Sequence, residues 1–151
     1  MKRKKVILII STVVLVLMAA GALYIYKEYN RTHKDTAEVK ADYSVAATQL
    51  IKNFEKDEQS SNQKYWDKVI QVDGRVKDII KDDRGFYSVV LGDSSAMSSV
   101  RCSMDSIHNK EAAAVQKGSH AVMKGICTGF NADELLGSDV ILVRCVVDLK
   151  K

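Results

Sequence analysis

Apolar and polar side chains alternate along residues 66–80, which is the pattern of a β-strand with one buried face. Ile70, Val72 and Val76 share one side of this strand, and charged residues occupy the other side. Gly74 interrupts the alternation near its middle. Because a glycine within a strand usually marks a bulge or a bend, we predict one long strand that curves at Gly74 and belongs to two sheets.

Four further strands follow, each bounded by turn residues. They are predicted at 87–91, 100–104, 120–130 and 140–149. A short helix at 107–116, ended by Lys117 and Gly118, separates the third strand from the fourth. Five strands with a bent first strand and a helix between the third and fourth predict a mainly β protein, a five-stranded OB-fold Greek-key barrel.

The region before the barrel predicts helices that pack on it. One side of the first helix is apolar, with Ser44 as its N-cap, and comprises Val45, Ala47, Leu50, Ile51 and Phe54. The polar run 55–64 contains neither glycine nor proline, so it predicts a second helical segment or a continuation of the first. Trp66 is the only tryptophan, and we expect its ring to close one end of the core.

The chain begins with an apolar segment that predicts a transmembrane helix. The 21 residues from Val6 to Tyr26 carry no charge, which is enough helix to cross a hydrocarbon core of roughly 30 Å. The basic tail 1–5 precedes it and predicts a cytoplasmic N-terminus, with the rest of the chain outside. A charged linker, 27–43, would then connect this anchor in the lipid bilayer to an OB-fold domain at 44–151.

A cleaved signal peptide is the alternative for this segment. A basic start, an apolar centre and the small residues Ala20, Gly21 and Ala22 fit its three parts. We favour the uncleaved signal anchor, because apolar character continues past that point to Tyr26. Both alternatives place the domain on the far side of the membrane from the cytoplasm.

The charge of the chain resides largely in its N-terminal tail. The net charge is +4, and the four cations at positions 2–5 account for it. The body of the protein is therefore neutral. Because nucleic-acid binding requires a concentrated basic face, the overall charge does not support that function.

The barrel segments also resemble a known family. The runs KVIQVDGRV, SVRCSMD and KGICTGFNADELLGSDVILVRC, within residues 43–147, are similar to the tRNA-anticodon-binding-like OB-fold family of bacterial envelope proteins. The family name records a fold relationship to anticodon-binding domains. The resemblance implies an OB-fold and implies no particular activity.

Ligands of OB-folds bind on the face of strands two and three and on the adjoining loops. In this chain that surface comprises Arg75, Lys77, Phe86, Ser88, Arg101 and Phe130. The cations would contact phosphates and the phenylalanines would stack on bases. The same region also contains acidic side chains that oppose a polyanion, namely Asp73, Asp78, Asp82, Asp83, Asp133 and Glu134. We therefore favour an ordinary solvated face with aromatics at the barrel ends, and keep single-stranded oligonucleotide binding as the alternative.

The residues predict no catalysis and no cofactor. No histidine has a nucleophile or a second ligand at a short spacing, and the cysteine spacings do not predict a zinc site. Cys127 and Cys145 would lie roughly opposite each other if the last two strands pair, which permits a disulfide; three buried thiols, with Cys102, are the equal alternative. The expected function is an envelope interaction module whose partner is a protein, peptide or glycan.

Overall fold

The computed structural model describes residues 13–14, 16–26, 35–133, 135 and 137–148. The chain divides into two units, of which Asp35–Lys151 is the second. Residues 13–14 and 16–26 of the first unit are helical, with exposed side chains. Within the described ranges, no helix combines the length and apolar character needed to cross a membrane. The remainder of the predicted segment 6–26, and residues 27–34 of the predicted linker, lie outside the described residues.

The second unit is built on a closed, mixed β-barrel. Its strands are β1 (Tyr43–Ala46), β2 (Val69–Lys81), β3 (Tyr87–Leu91), β4 (Ser99–Met104), β5 (His120–Asn131) and β6 (Asp139–Val147). Five of them close in the order β2-β3-β4-β6-β5 and back to β2, while β1 lies beside β2. The β4–β6 pair is parallel and the other barrel pairs are antiparallel. The predicted mainly β OB-fold barrel is confirmed.

Strand β2 closes the barrel because its two halves pair with different strands. Residues 69–75 pair with β5, and residues 76–81 pair with β3. The register shifts between Val76 and Asp78, so a bulge lies at Lys77. Ile70, Val72 and Val76 point into the core and are at most 1% exposed. The prediction of one strand shared by two sheets is therefore confirmed.

Gly74 has a different role from the predicted one. It pairs in regular register with Ala121 of β5, so the bulge is not at the glycine. A Cβ atom on Gly74 would lie 2.8 Å from Cβ of Ala47, which is too close for two carbon atoms. Gly74 therefore lets the first residue of a helix pack directly against β2.

That helix is α1 (Ala47–Lys56), followed by α2 (Glu58–Tyr65). The predicted N-cap was wrong: Ser44 and Val45 belong to β1, and α1 begins after Ala46 without a side-chain cap. The second helical segment is confirmed as a separate helix, because the Asp57 carboxylate accepts from the Ser60 amide and starts a new helix.

Tyr65 occupies the core position that we expected for Trp66. The Tyr65 side chain is 2% exposed and its ring lies 5.9 Å from that of Phe54, whereas Trp66 is 56% exposed. The prediction for Trp66 was wrong because α2 ends at Tyr65 and the extended backbone of Trp66 turns its ring outward.

Residues 35–42 lie against the barrel, although the sequence predicted a solvated linker there. Thr36 is 1% exposed. The buried Lys124 of β5 donates from Nζ to the Ala37 carbonyl at 2.8 Å. Asp42 exchanges hydrogen bonds with the backbone of Val69, at the start of β2. We call residues 35–42 the strap.

The remaining boundaries differ by a few residues from those predicted. The helix predicted at 107–116 is a shorter 3-10 helix, Asn109–Ala114. The last strand ends at Val147 rather than at residue 149, which lies outside the described residues.

We predict that Gly125→Ala destabilises the barrel by about 2 to 3 kcal/mol. A Cβ atom at Gly125 would overlap Sγ of Cys145 and would lie 3.2 Å from the Val143 carbonyl oxygen. Urea unfolding measures the loss. The control is Ala113→Gly, the reverse change at an exposed position. Gly118→Ala is not a suitable control, because the positive φ of Gly118, +84°, would itself strain an alanine.

The double variant Gly125→Ala/Cys145→Ala tests the physical cause. Because the second change removes the overlapping sulfur, the pair should cost less than the sum of the two single variants. Strict additivity would show that the Cys145 sulfur is not the obstacle.

Candidate ligand-binding groove

A shallow groove of about 370 Å³ crosses the outer face of β2, β3 and β4. Its lining residues are Lys77, Asp78, Ile80, Val90, Ser94, Arg101 and Lys117. The sheet register brings them together, because Asp78 is opposite Val90 and Val90 is opposite Arg101. The bulge at Lys77 is the reason that two consecutive residues, Lys77 and Asp78, both reach the groove.

Two of the three cations in the groove are paired with carboxylates. Arg101 contacts the Asp139 carboxylate at 2.8 Å, and Lys117 contacts Asp78 at 3.2 Å. The hydrogen bond from Lys117 is the main cause that lowers the pKa of Asp78. An incoming anion would therefore compete with Asp139 and Asp78 for these two side chains.

Lys77 has neutral partners instead. Its Nζ donates to the backbone carbonyls of Ala96 and Met97, at 2.5 and 3.1 Å. These bonds hold the β3–β4 loop against β2. Hydrogen bonds from Ser95 lower the pKa of Asp93 in that loop, and the charges of Arg75 and Lys77 lower it further.

Arg75 lies in a neighbouring depression rather than in the groove. This depression, of about 380 Å³, is lined among others by Arg75, Asp73, Thr48 and Asp93. Ser94 borders both spaces. The structure thus brings Lys77 and Arg101 into one groove, and it places Arg75, two residues before Lys77 on β2, in the neighbouring depression.

The two phenylalanines do not line the groove. Phe130 stacks on Phe54 of α1, with 5.3 Å between ring centroids and 21° between planes, so it packs against the core. Phe86 is 43% exposed in the β2–β3 turn, where its amide donates to Asp82 Oδ1. Ser88 of β3 is half-buried, between Ile80 and Ser103 in the sheet.

Lys117 is a groove residue that the sequence did not identify. It appeared only as the residue that ends a helix, together with Gly118. In the folded chain the Nζ of Lys117 donates to the carboxylate of Asp78, which is 39 positions away in the sequence. No local pattern signals such a contact.

A second cluster missed by the sequence surrounds His108. Its Nε2 contacts Asp35 at 2.8 Å and its Nδ1 contacts Glu111 at 2.6 Å. Hydrogen bonds to Asp35 and then to Glu111 raise the pKa of His108. The prediction that no histidine has a partner at a short spacing missed Glu111, which is three residues after His108 on the same predicted helix. Asp35 is 73 residues away, so no local pattern could identify it.

Asp105 and Arg144 adjoin this cluster and contact each other at 3.2 Å. Burial raises the pKa of Asp105, but hydrogen bonds from Ile107 and Arg144 outweigh it and leave that pKa lowered. In the part of the chain that the structure describes, no group of histidine, cysteine and acidic side chains is arranged to hold a metal ion. Glu134 lies outside the described residues.

Of the two alternatives for the cysteines, the structure has three free, buried thiols and no Cys127–Cys145 disulfide. The register explains why: Cys127 lies opposite Leu142, and Cys145 is three residues further along β6. The Cys145 thiol faces Cys102 of β4. Burial raises the pKa of Cys127 to about 11 and that of Cys145 well above its ordinary value.

Comparison with known proteins supports the fold. The model of the tRNA_anti-like family matches residues 1–147, and no curated protein matches the sequence. The crystal structure of a "putative nucleic acid-binding lipoprotein" from Klebsiella pneumoniae subsp. pneumoniae MGH 78578 is similar, with a TM-score of 0.52, 19% identity, and coverage of 68% of this chain and 90% of that one. At this identity the likeness shows the fold alone.

A "putative aspartyl-tRNA synthetase" from Leishmania major Friedlin matches more weakly. Its TM-score is 0.41 at 12% identity, with 86% of this chain and 26% of that chain covered. This score is too low to support an argument.

We predict that the native thiols resist alkylation near neutral pH, because all three are buried away from the reagent and burial raises the pKa of Cys127 and of Cys145. Mass spectrometry after treatment with iodoacetamide measures this. In denaturant without reductant, Cys102, Cys127 and Cys145 should all be modified. Labelling of a single cysteine under those conditions would show that a disulfide had formed.

Proposed function

Because the chain belongs to the tRNA_anti-like family, we propose that it is a membrane-anchored OB-fold binding module of the bacterial envelope. In this proposal residues 1–5 are cytoplasmic, residues 6–26 span the inner membrane as a single anchor, and residues 27–43 link the anchor to the barrel at 44–151. The module binds rather than catalyses. Its partner is a protein, a peptide or a glycan of the envelope.

One observation supports the proposed membrane anchor most directly. Large apolar side chains are exposed on the N-terminal helical segment, from Val13 at 53% to Leu17 at 66% and Ile25 at 68%. A helix that is apolar on every side requires an apolar environment. The uncharged run from Val6 to Tyr26 and the four preceding cations agree with a bilayer as that environment.

The groove supports binding rather than chemistry. Its polar groups are cations and a carboxylate beside the apolar Ile80 and Val90, on a rigid barrel wall. Arg101 and Lys117 are already held by carboxylates, and acidic residues slightly outnumber basic ones in residues 35–151. A surface of mixed charge fits a polypeptide or a glycan better than it fits a polyanion.

Single-stranded oligonucleotide binding is the second candidate, because Lys77, Arg101 and Lys117 converge on one groove. The Klebsiella protein is named as nucleic acid-binding, which agrees with this alternative. Under it, the three cations would contact successive phosphates. The exposed Phe86 at the edge of the sheet would stack on a base.

We predict that the protein sediments with membranes and remains there after alkaline carbonate washing, because residues 6–26 are integrated in the bilayer. Removal of residues 1–26 should release a folded barrel into the soluble fraction. Release of the full chain by carbonate would contradict the anchor. A mass about 2 kDa below that of the full chain would show cleavage instead.

We predict that the full chain in detergent micelles gives no salt-sensitive binding to labelled single-stranded DNA or RNA in fluorescence anisotropy. If binding of roughly micromolar strength occurs at low salt and weakens steeply with salt, the second candidate replaces the first. Variants then identify the surface that binds the nucleic acid. Lys77→Ala/Arg101→Ala/Lys117→Ala should lose about tenfold in affinity, and the control Lys56→Ala/Lys68→Ala/Lys110→Ala, with equal charge change outside the groove, should not.

A further inference from the structure

The first turn of the strap depends on Asp35. Its carboxylate accepts from the Ala37 amide at 2.9 Å, and its carbonyl accepts from the amides of Glu38 and Val39 at 3.0 and 3.3 Å. Thr36, within this turn, is 1% exposed. Whatever holds the Asp35 side chain therefore also holds the turn against the barrel.

His108 holds that side chain. Its Nε2 lies 3.0 and 2.8 Å from the two Asp35 oxygens, and its Nδ1 lies 2.6 Å from Glu111 Oε1. A neutral imidazole has one N–H donor and one lone pair, so it can donate to only one of two carboxylates. The imidazolium donates to both. The geometry around His108 is thus that of the protonated ring.

The charged groups around the ring favour the same form. Asp35 approaches from the strap, Glu111 from the 3-10 helix and Asp105 from the end of β4. Arg144 of β6 is the cation nearby, and its Nε is bound to Asp105. Three carboxylates facing one guanidinium leave a negative balance, which a positive His108 reduces.

We propose that His108 is a pH-dependent latch that docks residues 35–39 on the barrel when its ring is protonated and loosens them when the ring is neutral. The sign follows from linkage. The contacts with Asp35 and Glu111 raise the pKa of His108, so docking binds a proton. Docking is strongest below the ordinary pKa of about 6.5 and weakens as the pH rises through the raised pKa of the docked state.

The latch would control how far the barrel reaches from its anchor, and this consequence rests on the proposed function. The strap lies within the predicted linker, residues 27–43, and contains its first continuously described residues. Release of residues 35–39 would add roughly 16 Å of extended chain to the tether. The latch itself requires no membrane, so it can fail or succeed independently of the anchoring.

Hydrogen exchange of the full chain in detergent micelles tests the latch. After correction for the intrinsic exchange rate, the protection of the amides of residues 37–39 should fall about tenfold between about pH 6 and pH 9, since a charge-assisted hydrogen bond is lost. His108→Gln should show low protection that no longer depends on pH. The control is His120→Gln, because His120 is exposed and its carboxylate contact, at 2.9 Å, is with Asp73 of β2 rather than with the strap; it should behave like the wild type.

A second variant covers the case in which His108→Gln does not fold. Glu111→Gln removes one of the two carboxylates without touching the strap, so the midpoint of the protection change should move to lower pH. Protection that stays constant with pH in the wild type, or a midpoint that Glu111→Gln leaves in place, would overturn the proposal. Equal loss of protection in His120→Gln would do so as well.

Discussion

The barrel depends on the division of β2 between two partners. Residues 69–75 belong to the pair with β5, and residues 76–81 belong to the pair with β3. Where one pair ends and the other begins, Gly74 admits α1 on one side, and the bulge at Lys77 turns two consecutive polar residues toward solvent on the other. The closure of the barrel, the packing of α1 and the shape of the groove therefore all depend on β2.

Close packing between backbones recurs elsewhere in the barrel. Gly125 lies in β5 where the register with β6 shifts, and the sulfur of Cys145 occupies the space that a side chain there would need. The groove follows a different principle, because two of its three cations are matched by carboxylates. Arg101 with Asp139 and Lys117 with Asp78 keep the groove close to neutral. A ligand must exchange these contacts for its own, which favours a partner that offers both charges or hydrogen-bonding groups.

The sequence predicted what local periodicity encodes. The alternation around Ile70 and Val76 identified the shared strand, and the helix between the third and fourth strands identified the barrel. What escaped prediction depends on contacts between distant segments. Position 74 requires glycine because Ala47 packs directly against it, and the bulge lies elsewhere. Phe130 is not available to a ligand because its ring stacks on that of Phe54. Asp35 and His108 are 73 residues apart in the sequence and come together only in the folded structure.

The central claim is that the barrel works outside the cytoplasmic membrane, held by residues 6–26. The most direct measurement is a pair of reporters fused after Lys151, an alkaline phosphatase that folds only outside the cytoplasm and a fluorescent protein that matures inside it. The proposed topology predicts an active phosphatase and a dark fluorescent protein, because the basic residues at positions 2–5 would retain the N-terminus in the cytoplasm. A fluorescent fusion with an inactive phosphatase would contradict the account.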